Sequence, residues 1–110
     1  MAVNIKKLIP GTTLTASLVT LYTVPDNTRT RANELLICNT DTAARTFTIN
    51  FIASGDTAAV NNTVFDAAPI GAGETLTLGL DQVLEAGDFV QALADSATVV
   101  SIRLSGVEVS

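Results

Sequence analysis

The stretch RTFTINFIA, residues 45–53, sets the pattern that the rest of the chain follows. Phe47, Ile49 and Phe51 alternate with polar residues, as is typical of a β-strand with one buried face. The stretch TLTLGL, residues 75–80, repeats this alternation. We therefore expect the following apolar residues of the alternating segments to lie in the core: Phe47, Ile49, Phe51, Leu76, Leu78, Ile102 and Leu104.

The last alternating segment, residues 98–109, contains a change of phase. Its first run of in-phase apolar residues ends at Leu104, and the pattern resumes at Val107 and Val109, one residue out of phase. An extra residue beside a glycine is what a β-bulge requires. The sequence therefore predicts a bulge at residues 105–106, within this strand.

Turn-forming residues separate the alternating segments, and no segment longer than about two turns has a helical period. Closely spaced strands without helices are typical of a single antiparallel β-sandwich or jelly-roll-like domain of about seven to eight strands. The expected strands are 14–24, 31–39, 45–53, 62–66, 74–80, 89–94 and 98–109, with an eighth possible at 3–9. Residues 54–73 are expected to form a long irregular connection. We assign residues 1–10 to an N-terminal arm or an edge strand, and residues 11–110 to the sandwich.

The amino-acid composition excludes most kinds of catalytic site. The 110 residues include no histidine, no tryptophan and one cysteine, which excludes His-based nucleophilic sites and ordinary zinc sites. Most carboxylates stand in turn signals, where solvation alone explains them. We therefore expect no enzymatic activity, no catalytic residues, no cofactor and no metal.

The net charge and the hydropathy limit the kinds of partner that the chain is expected to bind. A net charge of −5 argues against nucleic acid, and no segment has the ~18–20 consecutive apolar residues of a membrane span. The 47% apolar content of so short a chain suggests that another chain covers part of its surface. Cys38, within the apolar run LLIC, is expected to be a buried, inert thiol.

The charges are unevenly distributed along the sequence. Residues 1–45 hold five of the six basic residues against three acids, and the remainder holds Arg103 against eight acids. Opposite signs would suit head-to-tail contacts between copies of the chain, while pairing within one chain is the alternative.

The stretch YTVPDNTRTRANELLICNT, residues 22–40, reads as a strand, a turn and a second strand, with a recognition loop as the alternative. In AVNIKKLIP, Val3 and Ile5 would lie on a contacted side, with Lys6 and Lys7 towards an acidic partner. We expect deletion of residues 2–9 to weaken attachment while leaving the sandwich folded. The candidate interface residues are Val3, Ile5, Lys6, Lys7, Arg29, Arg31 and Arg45.

Three segments in this order resemble a family of small β-sandwich virion proteins of tailed bacteriophages. They are TLYTVPDNTRTRANELLICNTDTAARTFTINF, APIGAGETLTLGLDQVLEAGDFVQALA and TVVSIRLSGVEV. The resemblance spans about residues 14–109 and consists of turn residues and alternating apolar positions in a particular order.

This resemblance implies a non-enzymatic structural component of the virion, assembled in the host cytoplasm. The first expectation is a capsid decoration (cement) protein that binds the major capsid protein lattice as a homo-oligomer, a trimer in particular. A tail, baseplate or fibre-associated protein is the alternative, followed by a host carbohydrate- or receptor-binding module.

Overall fold

The computed structural model describes residues 2–110, which form eight strands and one 3₁₀ turn. The strands are β1 (Val3–Thr13), β2 (Val19–Thr23), β3 (Arg29–Asn39), β4 (Arg45–Ile52), β5 (Thr63–Ile70), β6 (Thr75–Leu84), β7 (Phe89–Ala94) and β8 (Val100–Val109). The 3₁₀ turn, Val60–Asn62, precedes β5. Residues 3–13 thus form an edge strand that continues through Pro10 and Gly11.

The strands form two four-stranded antiparallel sheets. The first sheet has the order β1-β8-β3-β6 and the second has the order β2-β7-β4-β5. The pairs are nested along the chain: β1 pairs with β8, β2 with β7, β3 with β6 and β4 with β5. This nested pairing is that of a jelly roll, which confirms the expected fold class.

The core lies between the two sheets and contains most of the residues that the alternation predicted. Phe47, Ile49, Ile102 and Leu104 are fully buried, whereas Phe51, Leu76 and Leu78 are half-buried and pack against the core. Leu76 and Leu78 lie on β6, an edge strand, so that only one neighbouring strand covers them.

The predicted bulge in β8 is wrong. β8 keeps one phase throughout, with Gly106 and Glu108 facing the second sheet and Val107 and Val109 on the outer face. The extra residues lie instead in its two neighbours, as Leu8 in β1 and as the residue before Glu34 in β3. The prediction failed because it assumed that Val107 and Val109 face the core, whereas the inward residue between them is Glu108.

Backbone and side-chain atoms of β3 and β1 approach Gly106 of β8 closely. A Cβ at this position would collide with the carbonyl oxygen of Arg31 and crowd a methyl group of Leu8. The missing side chain of Gly106 therefore makes room for the bulged residue Leu8, whose own side chain is buried.

The strand expected over 62–66 is present but longer, so the irregular connection expected over 54–73 is wrong in its second half. Residues 63–70 form β5, which pairs with β4. The remaining connection, residues 53–62, is held by Asn50, whose Nδ2 donates to Oδ1 of Asn62 at 2.8 Å and to Oγ1 of Thr63 at 3.1 Å. Asn50 and Ile52 are both buried.

Both chain ends lie at one end of the sandwich, which we call the terminal end. Ala2 and Ser110 exchange backbone hydrogen bonds of 2.8 and 2.9 Å there. The connections after β2 and β6 meet at the same end, where the amide of Val24 donates to the carbonyl of Asp88 at 2.8 Å.

Candidate interaction surface

The structure brings several of the predicted interface residues together on the outer face of the first sheet. Val3 and Ile5 of β1 are 64% and 92% exposed. Their cross-strand neighbours on β8 are Val109 and Val107. We call these four apolar residues the outer patch.

Two arginines border the outer patch. Arg29 of β3 lies opposite Val109, and Arg31 lies opposite Val107. Beyond Arg31, the next cross-strand neighbour is Val83 of β6, which is 59% exposed. The face therefore combines aliphatic side chains with two guanidinium groups near the terminal end.

Both arginines form ion pairs with neighbouring acids. Nε of Arg29 lies 3.0 Å from Oε2 of Glu85, and Nε of Arg31 lies 3.4 Å from Oδ1 of Asp81. All four side chains are largely exposed, and such pairs contribute little to stability because water and salt screen them. Pairing within one chain, the alternative that the sequence left open, therefore occurs here.

Lys6 points away from the outer patch, towards the interior of the terminal end. Its Nζ lies 3.3 Å from Oε1 of Glu108, which is only 7% exposed. The hydroxyl of Tyr22 donates to the other oxygen of the same carboxylate, and that hydroxyl lies 2.9 Å from Oγ1 of Thr30. Burial, followed by the contact with Glu108, raises the pKa of Tyr22 to about 12. This polar cluster joins β1, β8 and β3 of the first sheet to β2 of the second.

Lys7 and Arg45 occupy separate surroundings. Lys7 is exposed on the outer face of β1, opposite Ser105. Arg45 begins β4 at the opposite end of the sandwich, where its Nε lies 2.8 Å from Oδ2 of Asp41. Hydrogen bonding from this guanidinium lowers the pKa of Asp41 below its ordinary value. The geometry thus separates Arg45 from the other predicted interface residues.

The prediction of a buried Cys38 is wrong. Cys38 is half-buried on the outer face of β3, between Ser101 of β8 and Thr75 of β6. The apolar run LLIC misled because alternate members of a strand face opposite sides, so that only Leu35 and Ile37 of this run enter the core.

The charge bias along the sequence corresponds to a difference between strands and connections. The strands of the first sheet carry five basic and three acidic residues, a net charge of +2. The second sheet carries one of each, Arg45 and Asp66. The connections of the described chain carry acids alone: Asp26, Asp41, Asp56, Glu74, Glu85, Asp88 and Asp95.

A shallow groove of about 610 Å³ lies beside the outer patch at the terminal end. Arg29 and Val109 line it together with Glu85 and Ser110. Across residues 2–110, no group of three or more Cys, Asp or Glu side chains is arranged to hold a metal ion. None of the helical structure described in this range is long and apolar enough to cross a membrane.

Sequence reasoning missed the contribution of Val107, Val109 and Val83 to this surface, and it missed the contact between Glu108 and Tyr22. Uninterrupted alternation along β8 would have placed Val107 and Val109 on the outer face. This alternation requires Glu108 to be buried, and its carboxylate then needs a partner. No local signal in the sequence indicates that Tyr22 is that partner, since 86 residues separate them along the chain.

Comparison with known proteins supports the fold. No protein-family model matches the chain, and no curated protein matches it. A solved structure of Bacillus endospore appendages, described as a novel family of disulfide-linked pili, superposes with a TM-score of 0.64 and 18% identity over 98% of this chain and 88% of that chain. A chain in the structure of infectious bursal disease virus, Gx strain, superposes with a TM-score of 0.51 and 15% identity. That match covers 97% of this chain and 31% of the viral chain, so this protein spans about a third of its length.

Proposed function

We propose that this protein is a non-enzymatic structural subunit of a bacteriophage virion, and specifically a capsid decoration protein that binds the assembled capsid lattice. The observation that carries the proposal is the outer patch: four aliphatic residues on an edge strand and its neighbour, with Ile5 92% exposed. Exposed apolar surface of this kind marks an interaction site, and it lies on a domain whose described residues form no metal cluster.

The proposed mechanism is stabilisation by binding. A subunit that binds the assembled lattice and not the separated capsid proteins stabilises the lattice by its binding free energy. Many weak contacts on one particle add through multivalency. The basic first sheet, including Lys7 and Arg103 on its outer face, is suited to an acidic partner surface.

Two similarities support this proposal in different ways. The two solved structures share the jelly-roll fold with the chain, and they come from a pilus and from a virus, which supports a role as an assembly subunit. The phage assignment is supported by the resemblance of residues 14–109 to small phage virion proteins.

The test is a search for the protein in purified phage particles, followed by localisation of its density in a cryo-EM map of the whole particle. The expected result is density on the outer surface of the shell, with restoration of shell stability when purified protein is added to particles that lack it. Absence from the particle, or density confined to its interior, would contradict the proposal.

The number of copies and the lack of activity are tested separately. The trimer stays a prediction from the sequence, and multi-angle light scattering of the purified protein measures it directly. Screens for glycosidase, esterase and nuclease turnover should give only background. Activity abolished by changing a single carboxylate would overturn the structural role.

A fibre-associated protein of the tail is the second candidate. It is favoured by the pilus described as disulfide-linked, whose chain this protein matches over nearly its whole length. In the cryo-EM experiment, density along a tail fibre or at the baseplate would identify this alternative.

A further inference from the structure

The two sheets have four edge strands, and three of them are protected against pairing with another chain. β2 has five residues. β5 contains Pro69 and has Ala67 at a φ of 45°. β6 has Asp81 at a φ of 54° beside a register shift. Short length, proline and local irregularity are among the means by which natural sheets block their edges, as are charged side chains such as lysine.

The first half of β1 carries Lys6 and Lys7, but its backbone has none of the three other protections. From Val3 to Lys7 its register with β8 is continuous, and the irregularities of β1, including Pro10, come later. Ala2 and Ser110 form a hydrogen-bonded pair, because each donates its N–H to the carbonyl of the other. In an antiparallel pair of strands such pairs recur at every second residue, so the backbone groups of Asn4 and Lys6 also point towards β8. The N–H and C=O groups of Val3, Ile5 and Lys7 therefore point to the open edge.

These backbone groups define what can cover the edge. Unpaired donors and acceptors recur at every second residue beside the exposed side chains of Val3 and Ile5. A polypeptide in the extended conformation satisfies both requirements at once, by adding a strand to the sheet. A rounded apolar surface would cover the side chains and leave the backbone groups unpaired.

We propose that the covering strand is the same segment of a second copy of this chain, paired antiparallel about a two-fold axis through Ile5. The inference rests on the proposed role as an assembly subunit, and it gives a two-fold dimer in place of the trimer expected from the sequence. In this register Ile5 faces Ile5 of the second copy, Val3 faces Lys7, and Asn4 faces Lys6. All three pairs formed by Val3, Ile5 and Lys7 have backbone groups directed at the shared edge, as a hydrogen-bonded antiparallel pair requires.

The side chains support this self-pairing. The two lysines of each copy face Asn4 and Val3 of the other, so that no like charges lie directly opposite each other, which would be destabilising. The open side of each Ile5 is covered by the other, and Val107 already covers its far side. The result is a continuous aliphatic row across four strands, from Val107 of one copy to Val107 of the next. Contact of the same surface with itself is the arrangement of a two-fold dimer.

Disulfide trapping tests the register. In a Cys38→Ser background, Ile5→Cys places two thiols in a hydrogen-bonded pair, whose Cα atoms are about 5.5 Å apart. This distance is within the usual range for a disulfide. We expect Ile5→Cys to form a covalent dimer on mild oxidation at least tenfold faster than Val60→Cys, a control that is 95% exposed outside any strand. Asn4→Cys should also cross-link slowly, because it faces Lys6.

A second variant tests the pairing without a thiol. Ile5→Pro removes one edge N–H that has no partner within the chain, and proline is tolerated on edge strands for this reason. We expect a folded protein by circular dichroism and a loss of at least tenfold in self-association by light scattering. Val60→Pro is the matched control.

The outcomes separate this inference from the proposed function. If the protein occupies the particle but Ile5→Cys cross-links no faster than Val60→Cys, the pairing is wrong and the virion role stands. A cross-link from Ile5→Cys to a different virion protein also overturns the two-fold pair. Rapid dimer formation by a protein absent from particles supports the pair and removes the virion role.

Discussion

The hydroxyl of Tyr22 in β2 donates a hydrogen bond of 2.5 Å to Oε2 of Glu108 in β8, which ties the second sheet to the first near the terminal end. Without this contact, the buried carboxylate would keep only Lys6, whose side chain is half exposed. A buried charge is tolerated when it is hydrogen-bonded and paired, and Glu108 satisfies both conditions through residues of two other strands.

Removing the Tyr22 hydroxyl should therefore weaken the fold. We expect Tyr22→Phe to lower the free energy of unfolding by about 1–3 kcal/mol, the usual cost of leaving a buried polar group unsatisfied. Urea denaturation measures the change. Phe89→Tyr, which adds a hydroxyl away from the polar cluster, serves as a control, and an unchanged midpoint for Tyr22→Phe would contradict the prediction.

The raised pKa of Tyr22 predicts a loss of stability in alkali. The unfolded chain releases the tyrosine proton near pH 10, while the folded chain holds it until about pH 12. Between these values the unfolded state binds fewer protons, so stability falls as pH rises. The difference in unfolding free energy between the parent protein and Tyr22→Phe should shrink over this range. A difference that stays constant from pH 9 to pH 12 would refute the prediction.

Gly106 should tolerate no side chain. We expect Gly106→Ala to lower the free energy of unfolding by roughly 1–3 kcal/mol or more, as for overpacked cores, because the added Cβ meets the backbone of Arg31. Gly79→Ala is the matched control, since a Cβ there would meet no atom within 4 Å. Equal melting temperatures of the two variants would argue against the close approach of the three strands.

Ile49 should be among the residues that stabilise the core most. It is fully buried between the sheets, and Ile49→Ala should cost about 2–5 kcal/mol. Val60→Ala, on an exposed residue, should change stability by less than about 0.5 kcal/mol. Chemical denaturation of both variants checks the contrast.

Asn50 should hold the connection that follows β4. Asn50→Ala removes the donors to Asn62 and Thr63, and we expect faster proteolytic cleavage within residues 53–62. Cleavage elsewhere should be unchanged. Limited proteolysis followed by mass spectrometry locates the cut, and uniform acceleration along the chain would instead indicate global destabilisation.

The fold class could be predicted from the sequence because the core pattern is local. Phe47 and Ile49 stand two residues apart on one strand, and the burial of one face follows from that spacing alone. The extent of strand β5 could not be predicted in the same way, because Pro69 and the positive φ of Ala67 interrupt the pattern at an edge.

The surface near the terminal end could not be predicted in this way, because it is formed by strands that are far apart in the sequence. The bulge in β1 is visible only as a mismatch with β8, about a hundred residues away along the chain. The position of Arg31 beside Val107 likewise follows from the pairing of β3 with β8. The sequence predicted a contacted side for Val3 and Ile5, but their neighbours required the sheet order.

The extra residue at Leu8 also decides which amino acids β1 presents to the outside. If β1 alternated strictly through this position with Ile9 still inward, the preceding segment would be rotated by half a turn. Val3 and Ile5 would then face inward and Lys6 outward, with every amino acid before the bulge unchanged. Removal of residues 2–9 would take Leu8 and Ile9 from the core. The expectation that the sandwich stays folded therefore does not hold for that deletion. Loss of the codon for Leu8 alone would make Lys7 and Ile9 consecutive, opposite Ser105 and Leu104, so an evolving lineage can shorten β1 here and keep Val3 and Ile5 on the outer face.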